Sequence, residues 1–328
     1  MNSTVLIKLS IHNITMNNMT TNNTIMNNTT ATLPGLILVI LISLSPPPAT
    51  AQPDPACANS QANIAWWQEI YEQRSETRMV TQALARDLLP CLGSPNPLLR
   101  DNIGYGLYSY WLRNERLDRD SKRFLFNALQ AELQSDAALE RSFSALILAE
   151  LLRADAIDAF LSANERNGLL GQTAAALQAE TDYRGLDAEL GWVHPVAHLA
   201  DVLWRFALHP ALGAEQARQI QAAVRAKATP LDTSYAFNEG DRLARVISQL
   251  LAREVLPEEA WQRWFAQFEL RRDGQDWSSA FSSPQGMAEL HNAKLFIRAL
   301  ADQIAGSSIS SNLQARVEEL VAMFTELV

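Results

Sequence analysis

From Ala62 to the C-terminus, apolar residues recur at three- and four-residue intervals almost without a break. That period marks helices with one buried face, and the every-second-residue alternation of a half-buried strand is absent. The chain is therefore expected to be all-α. The periodic stretches predict helices near 62–74, 76–89, 96–113, 118–134, 137–153, 155–164, 172–179, 194–208, 213–227, 236–254, 257–268, 285–304 and 309–327. Breaks are expected at Gly93-Ser94-Pro95-Asn96-Pro97, Asn167-Gly168, Pro230, Asp273-Gly274 and Gly306-Ser307-Ser308, where turn-forming residues cluster. The intervening loops are short, so successive helices should pack as antiparallel neighbours.

Residues 88–107 read LLPCLGSPNPLLRDNIGYGL. A helix ending in Leu-Leu-Pro, a Gly/Pro/Asn turn and a second helix opening with Arg100-Asp101 resembles a HEAT-type repeat. Pro97 presets the first turn of that second helix, where its missing N–H costs nothing. The expected architecture is a right-handed stack of antiparallel helical hairpins, a HEAT-like α-α superhelix formed by residues 52–328 as one domain. Because later repeats are not clean, a helical toroid or an irregular bundle is the alternative.

The first 51 residues follow different rules. Residues 1–32 are rich in Asn, Thr and Met and contain too little to bury, so they are expected to be disordered. Leu36 to Leu44 is continuously apolar but far shorter than the roughly 20 residues a bilayer requires. Three prolines and an Ala49-Thr50-Ala51 site follow, which together read as a secretory signal cleaved after Ala51. The only basic residue upstream is Lys8, so an internal start such as Met26 is the expected origin of the signal, and an uncleaved anchor is the alternative. Cleavage would take the net charge from −9 to −10 by removing Lys8. The chain is thus expected to be exported by a bacterium, periplasmic or secreted, with no stable membrane span afterwards. Its acidic balance lacks the basic footprint of a nucleic-acid partner. The only two cysteines, Cys57 and Cys91, survive cleavage and are expected to pair as a disulfide in an oxidising compartment.

Chemistry-bearing residues concentrate in 183–201, YRGLDAELGWVHPVAHLAD. Two glycines and no helical period make 183–191 a loop, and Pro195 belongs in the first turn of the next helix, with His194 at or near its N-cap. His194, His198, Asp201 and Arg205 step by four, three and four, which places them on one face of an otherwise apolar helix. A polar stripe on such a helix must find polar partners, since burying it unpaired costs several kcal/mol. Four uses are open. His198 hydrogen-bonded to Asp201 would be an oriented acid–base imidazole, with Arg184 holding an anionic substrate. His194, His198 and Asp201 could share zinc, although the proline after His194 occupies the place where a zinc-protease motif carries its general base. The stripe could be a structural network, or part of a ligand surface. Tyr183, Glu189, Trp192, His194, Glu239 and Arg242 are the expected binding residues. Arg141, His291, Lys294 and Arg298 are candidates to converge on the same surface. No cofactor is expected: phosphate-cradling and dinucleotide glycine loops, and a Gly-x-Ser-x-Gly elbow, are all absent.

The pattern YRG-x(5)-GW-x-H-x(3)-H-x(2)-D, with LLRDNIGY, RSFSAL at 141–146 and NEGDRLARVI at 238–247, resembles a bacterial family known only as domain of unknown function 2785. The resemblance spans about residues 90–305 and carries no activity across. The reading that follows is an exported helical-repeat-like protein that binds a ligand or partner, itself not identified by the sequence, through residues 183–205. A hydrolase-type enzyme using His198, Asp201 and an arginine is the alternative. N-terminal sequencing of the exported chain should begin at Gln52; a chain that retains Leu36 to Leu44 would refute cleavage.

Overall fold

The computed structural model describes Cys57 and residues 61–327. The Asn/Thr-rich run, the apolar segment and the cleavage expected after Ala51 lie outside the described residues. What is described is all-α apart from one minimal hairpin. The helices are α1 (Gln61–Glu72), α2 (Gln82–Asp87), α3 (Gly106–Arg113), α4 (Arg119–Glu132), α5 (Ala138–Ile157) and α6 (Ala163–Ala179). After the hairpin come α7 (Pro195–Leu208), α8 (Ala214–Ala228), α9 (Glu239–Ala252), α10 (Glu258–Phe265), α11 (Pro284–Ile304) and α12 (Ser311–Glu326). Among the described residues no helix is long and apolar enough to cross a membrane.

Packing follows a simple order. Helix α5 lies against α7, α7 against α9 and α9 against α11. Helices α4, α6, α8 and α12 pack on α5, α7, α9 and α11 respectively. The central row therefore loses most of its solvent contact: α5 buries Phe143, Ile147, Leu148, Leu151 and Leu152, and α7 buries Val196, Leu199, Val202, Leu203 and Phe206. At the C-terminal end Phe296 stacks on Phe268 with ring centroids 5.5 Å apart, a contact that adds about 0.5–1.5 kcal/mol beyond its burial.

The chain departs from the expected boundaries in several places: no helix spans 155–164, and the helix expected from 76 begins at Gln82. The break expected at Asn167-Gly168 falls inside α6. That helix is started by a capping box, in which the Ser162 hydroxyl accepts from the Glu165 N–H and the Glu165 carboxylate accepts from the Ser162 N–H. One interior glycine costs only about 1 kcal/mol and does not overturn such a start. Helix α5 also runs past the expected end at 153, because the Asp155 carboxylate accepts the N–H groups of Phe160 and Leu161, both at 2.7 Å, only after the last turn. The helix expected over 96–113 begins as a π-helical segment, Leu98–Tyr105, before becoming α3.

That segment carries Arg100, whose side chain ties together several distant parts of the described chain. Arg100 is fully buried. Its Nε donates to Asp101 Oδ1 at 2.8 Å and its Nη1 to the Ser94 carbonyl at 3.2 Å. Its Nη2 reaches 90 residues along the chain, donating to the carbonyls of Leu190 at 2.6 Å and Trp192 at 3.1 Å. The guanidinium also lies 4.7 Å from the Phe143 ring centroid on α5. Nearby, Cys57 and Cys91 form the expected disulfide, with Cα atoms 5.2 Å apart. By the loop-entropy argument it contributes about 3–4 kcal/mol.

Replacing Arg100 strands the carbonyls of Ser94, Leu190 and Trp192 and leaves Asp101 without its partner. Arg100→Ala should lower the unfolding free energy by about 3–5 kcal/mol, and Arg100→Lys should restore only part, since an ammonium cannot serve the fork of acceptors. Denaturant titration reads both, and a loss below about 1 kcal/mol for the alanine variant would contradict this account.

Candidate functional site

The loop before α7 is a tight hairpin. Strand β1 (Leu186–Asp187) pairs antiparallel with β2 (Gly191–Trp192), Leu186 opposite Trp192. The Asp187 carboxylate closes the turn by accepting the N–H groups of Glu189 and Leu190, each at 2.9 Å, and Gly191 supplies the positive φ of +68° that the turn requires. The Val193 and His194 N–H groups continue the pairing to the carbonyls of Gly185 and Arg184. Gly185 lies directly on Phe237: a Cβ there would come within 2.1 Å of that ring. The hairpin thus presents Leu186 and Trp192 to solvent, with Trp192 46% exposed. It then delivers the chain to His194, the N-cap of α7, followed by Pro195 at the first position, as expected. His194 is left-handed (φ +46°), and so is Asn238 (φ +66°), the N-cap of α9 beside it.

His194, His198, Asp201 and Arg205 do share one face of α7, but each looks to a different neighbour. The His198 Nδ1 lies 2.8 Å from Ser142 Oγ and 3.2 Å from the Ser142 carbonyl on α5. The Ser142 hydroxyl donates to the Val193 carbonyl, so its oxygen accepts from His198, which places the proton on Nδ1 and a lone pair on Nε2. Burial, together with His194, Arg242 and Arg100 nearby, lowers the His198 pKa to about 3. The imidazole is therefore neutral at physiological pH.

Asp201 does not orient His198. Its carboxylate faces the other way, onto α9, where Arg242 Nη1 donates to both oxygens at 2.9 and 2.8 Å. The expected His198–Asp201 hydrogen bond is thus replaced by two separate pairings, because three residues along a helix bring side chains alongside without fixing which packed neighbour each meets. Burial still pushes the Asp201 carboxyl up, against the pull of Arg242, Arg245 and Arg205. His194 stacks on Trp192 with centroids 4.6 Å apart, and its Nε2 is buried without a hydrogen-bond partner. Burial lowers the His194 pKa as well.

Beyond Asp201 the polar face continues. Glu150 on α5, almost fully buried, accepts from Arg113 at 2.6 and 3.0 Å, from Arg153 at 3.1 Å and from Arg205 at 3.3 Å. Burial alone would push its carboxyl up; the hydrogen bonds and charges of these arginines outweigh it and hold the carboxyl below the usual range. The guanidiniums of Arg205 and Arg245 lie over the Trp204 ring at 4.5 and 3.4 Å. Glu239 is buried beside His194, and its Oε2 accepts the Phe237 N–H at 2.9 Å. Arg113, Arg153 and Arg205 thus meet Glu150, and Arg242 and Arg245 act on Asp201: five cations against two anions.

Trp192, His194, His198, Asp201, Glu239 and Arg242 are thus brought together, as the sequence suggests. Tyr183, Arg184 and Glu189 are not. Tyr183 packs toward α8, where Lys227 Nζ lies 3.4 Å from its hydroxyl; burial and the nearby Asp232 push its pKa up to about 12. Arg184 pairs with Asp182 and Asp187 at the surface, and Glu189 is exposed. Arg141 is held by Glu180, and His291 meets the Tyr235 carbonyl. Among the described residues no three His, Cys, Asp or Glu side chains form a metal-ligating cluster; the set His194, His198 and Asp201 does not assemble, because Arg242 holds Asp201. The participants not singled out beforehand are Ser142, Glu150, Arg113, Arg153, Trp204, Phe237 and Arg245. Glu150 had a signal: a lone acid inside the apolar run 145–152 must be paired.

Residues 125–301, more than half of the chain, match the family described as "Protein of unknown function (DUF2785)". The match includes RSFSAL, the hairpin-to-helix pattern and NEGDRLARVI, and begins after LLRDNIGY. No curated protein and no solved structure matches the chain.

The depressed His198 pKa has a defined consequence. Between its ordinary value near 6.5 and about 3, the unfolded chain takes up a proton at this position that the folded chain refuses. Stability therefore rises with pH across that window and is lost on acidification. His198→Asn should flatten the dependence of melting temperature on pH between about 6.5 and 3; an unchanged slope would show that His198 does not titrate in this way.

Proposed function

The chain belongs to the DUF2785 family, and we propose that it is a binding protein that recognises an acidic protein or peptide partner through the face built on α5, α7 and α9. The observation that carries this reading is the surplus of arginine around exposed aromatic surface. Five arginines surround the two carboxylates Glu150 and Asp201 on a chain whose net charge is −9, and at the entry to α7 Trp192 is 46% and Leu186 53% exposed. Tryptophan and arginine are the residues that most often carry interface energy. A local positive patch on an acidic molecule favours an acidic partner. The polar anchors beneath, Glu150 and Asp201, hold the arginine side chains in fixed positions and so reduce what must be ordered on binding.

Acid–base chemistry is less well supported by the same geometry. An efficient general base titrates near the working pH and is oriented by a partner that stabilises its charged form. His198 has a pKa of about 3 and its Nδ1 faces a serine. Export fits the binding reading, since the leader features of residues 36–51 and the Cys57–Cys91 disulfide suit an oxidising compartment. The side-by-side order of α5, α7, α9 and α11 supports a HEAT-like frame, in which such a face is a natural docking surface.

The test is titration of the purified protein with acidic and basic peptides of equal length. Acidic peptides should bind with an affinity that falls with salt, and Trp192→Ala or Arg245→Gln should weaken them about tenfold or more while leaving the melting temperature unchanged. Equal binding of basic peptides, or full affinity in both variants, would overturn the proposal.

A further inference from the structure

A second concentration of arginine lies on a different part of the molecule, between α8 and α10. A cleft of about 560 Å³ is lined by Arg218, Gln221 and Arg225 of α8, by Arg263 and Trp264 of α10, and by Arg272 of the loop that follows. No aspartate or glutamate lines it. From this geometry we infer that the cleft binds a small polyanion carrying two or more phosphate-class oxyanions.

The arginines are poorly matched within the protein. Arg263 makes no hydrogen bond or ion pair with any described residue, and Arg272 spends its Nη1 on the carbonyls of Ala226 and Thr229. Arg218 reaches only the exposed Glu215, at 3.5 Å. Arg225 donates to Thr229 Oγ1 at 3.0 Å and to the Gln267 carbonyl at 2.8 Å, with no carboxylate contact. The nearby Glu289 is already taken by Arg271 Nε and by the Arg272 N–H. Burial and Arg272 beside it lower the Arg225 pKa to about 10, the direction expected of a cation crowded by another cation.

The deep wall carries a second, independent sign. Gln221 is 6% exposed and its Nε2 has no hydrogen-bond partner; the Nε of Arg225, one turn along, is also buried and unpaired. Buried donors are nearly always paired, so two side by side at a cleft lined with arginine point to an acceptor supplied from outside. A guanidinium fork suits the planar display of oxyanion oxygens.

Size and spacing argue for more than one oxyanion. Arg218 and Arg225 are seven residues apart on α8, about 10 Å along its axis, which a single phosphate cannot bridge. The cleft falls in the range of small-molecule sites, about 300–1,000 Å³, and the buried Trp264 and the alanines at 222, 226 and 260 give it an apolar surface for the rest of the ligand.

Calorimetric titration of the full chain with tripolyphosphate and with orthophosphate tests the inference. Tripolyphosphate should saturate one site and bind about tenfold or more tightly than orthophosphate. Because Arg225 is partly buried and its loss risks the fold, the diagnostic variant is Arg263→Gln with Arg272→Gln, both exposed. It should weaken tripolyphosphate about tenfold or more at an unchanged melting temperature. Absence of saturable binding at millimolar tripolyphosphate, equal affinity for orthophosphate, or equal affinity in the double variant would overturn the proposal. Co-sedimentation with vesicles carrying a phosphoinositide bisphosphate assigns the source: pelleting that the double variant loses marks a lipid headgroup, and protein left in the supernatant marks a soluble ligand.

Discussion

The position of the candidate face depends on one buried guanidinium. Arg100 gathers the Asp101 carboxylate and the carbonyls of Ser94, Leu190 and Trp192 around a side chain with no solvent contact. A charge in that setting is tolerable only when every acceptor is present. The hairpin is therefore not free to choose its position: the carbonyls of Leu190 in its turn and Trp192 in β2 complete the shell of a cation that belongs to a segment 90 residues earlier. Trp192 and His194 are placed as a consequence, and α7 starts where the hairpin ends.

The same logic runs through the central row of helices. Helices α5 and α7 are apolar on nearly every side, yet each keeps a few polar groups: Ser142 and Glu150 on one, His198 and Asp201 on the other. Each reaches a partner on a neighbouring helix, and Glu150 also pairs with Arg153 of its own helix. Hydrophobic burial alone would allow these helices to slide or rotate against one another; directional pairs at Ser142–His198, Glu150–Arg205 and Asp201–Arg242 fix their register. The outward consequence is a set of arginines held at defined points with charge to spare.

Local chemistry was legible in the sequence and distant pairing was not. Pro195 announced the start of α7 because proline acts on its own backbone, and the stripe at 194, 198, 201 and 205 followed from the helical period. The disulfide was readable because Cys57 and Cys91 had no other partner to choose. The apparent break at Asn167-Gly168 misled, because a capping signal at Ser162 and Glu165 outweighs one glycine. The partner of His198 was invisible: Ser142 lies 56 residues away, and nothing in a serine identifies the imidazole it will meet. Arg184, three residues from Asp187, looked like a site residue only because its short-range pairs with Asp182 and Asp187 cannot be told from long-range ones in a string of letters.

Two neighbouring helices, α7 and α9, begin from residues in the left-handed region, His194 and Asn238. Glycine would adopt that backbone freely, whereas a β-branched residue would be strained by about 1–2 kcal/mol. The allowed alphabet at these two sites is therefore narrow, and it splits sharply. A drift to glycine would keep the backbone and delete the ring that Trp192 rests on; a drift to most other residues would disturb the helix entry itself. Among descendants of this chain, position 194 can thus record separately whether a lineage kept the fold alone or the fold together with its aromatic entrance.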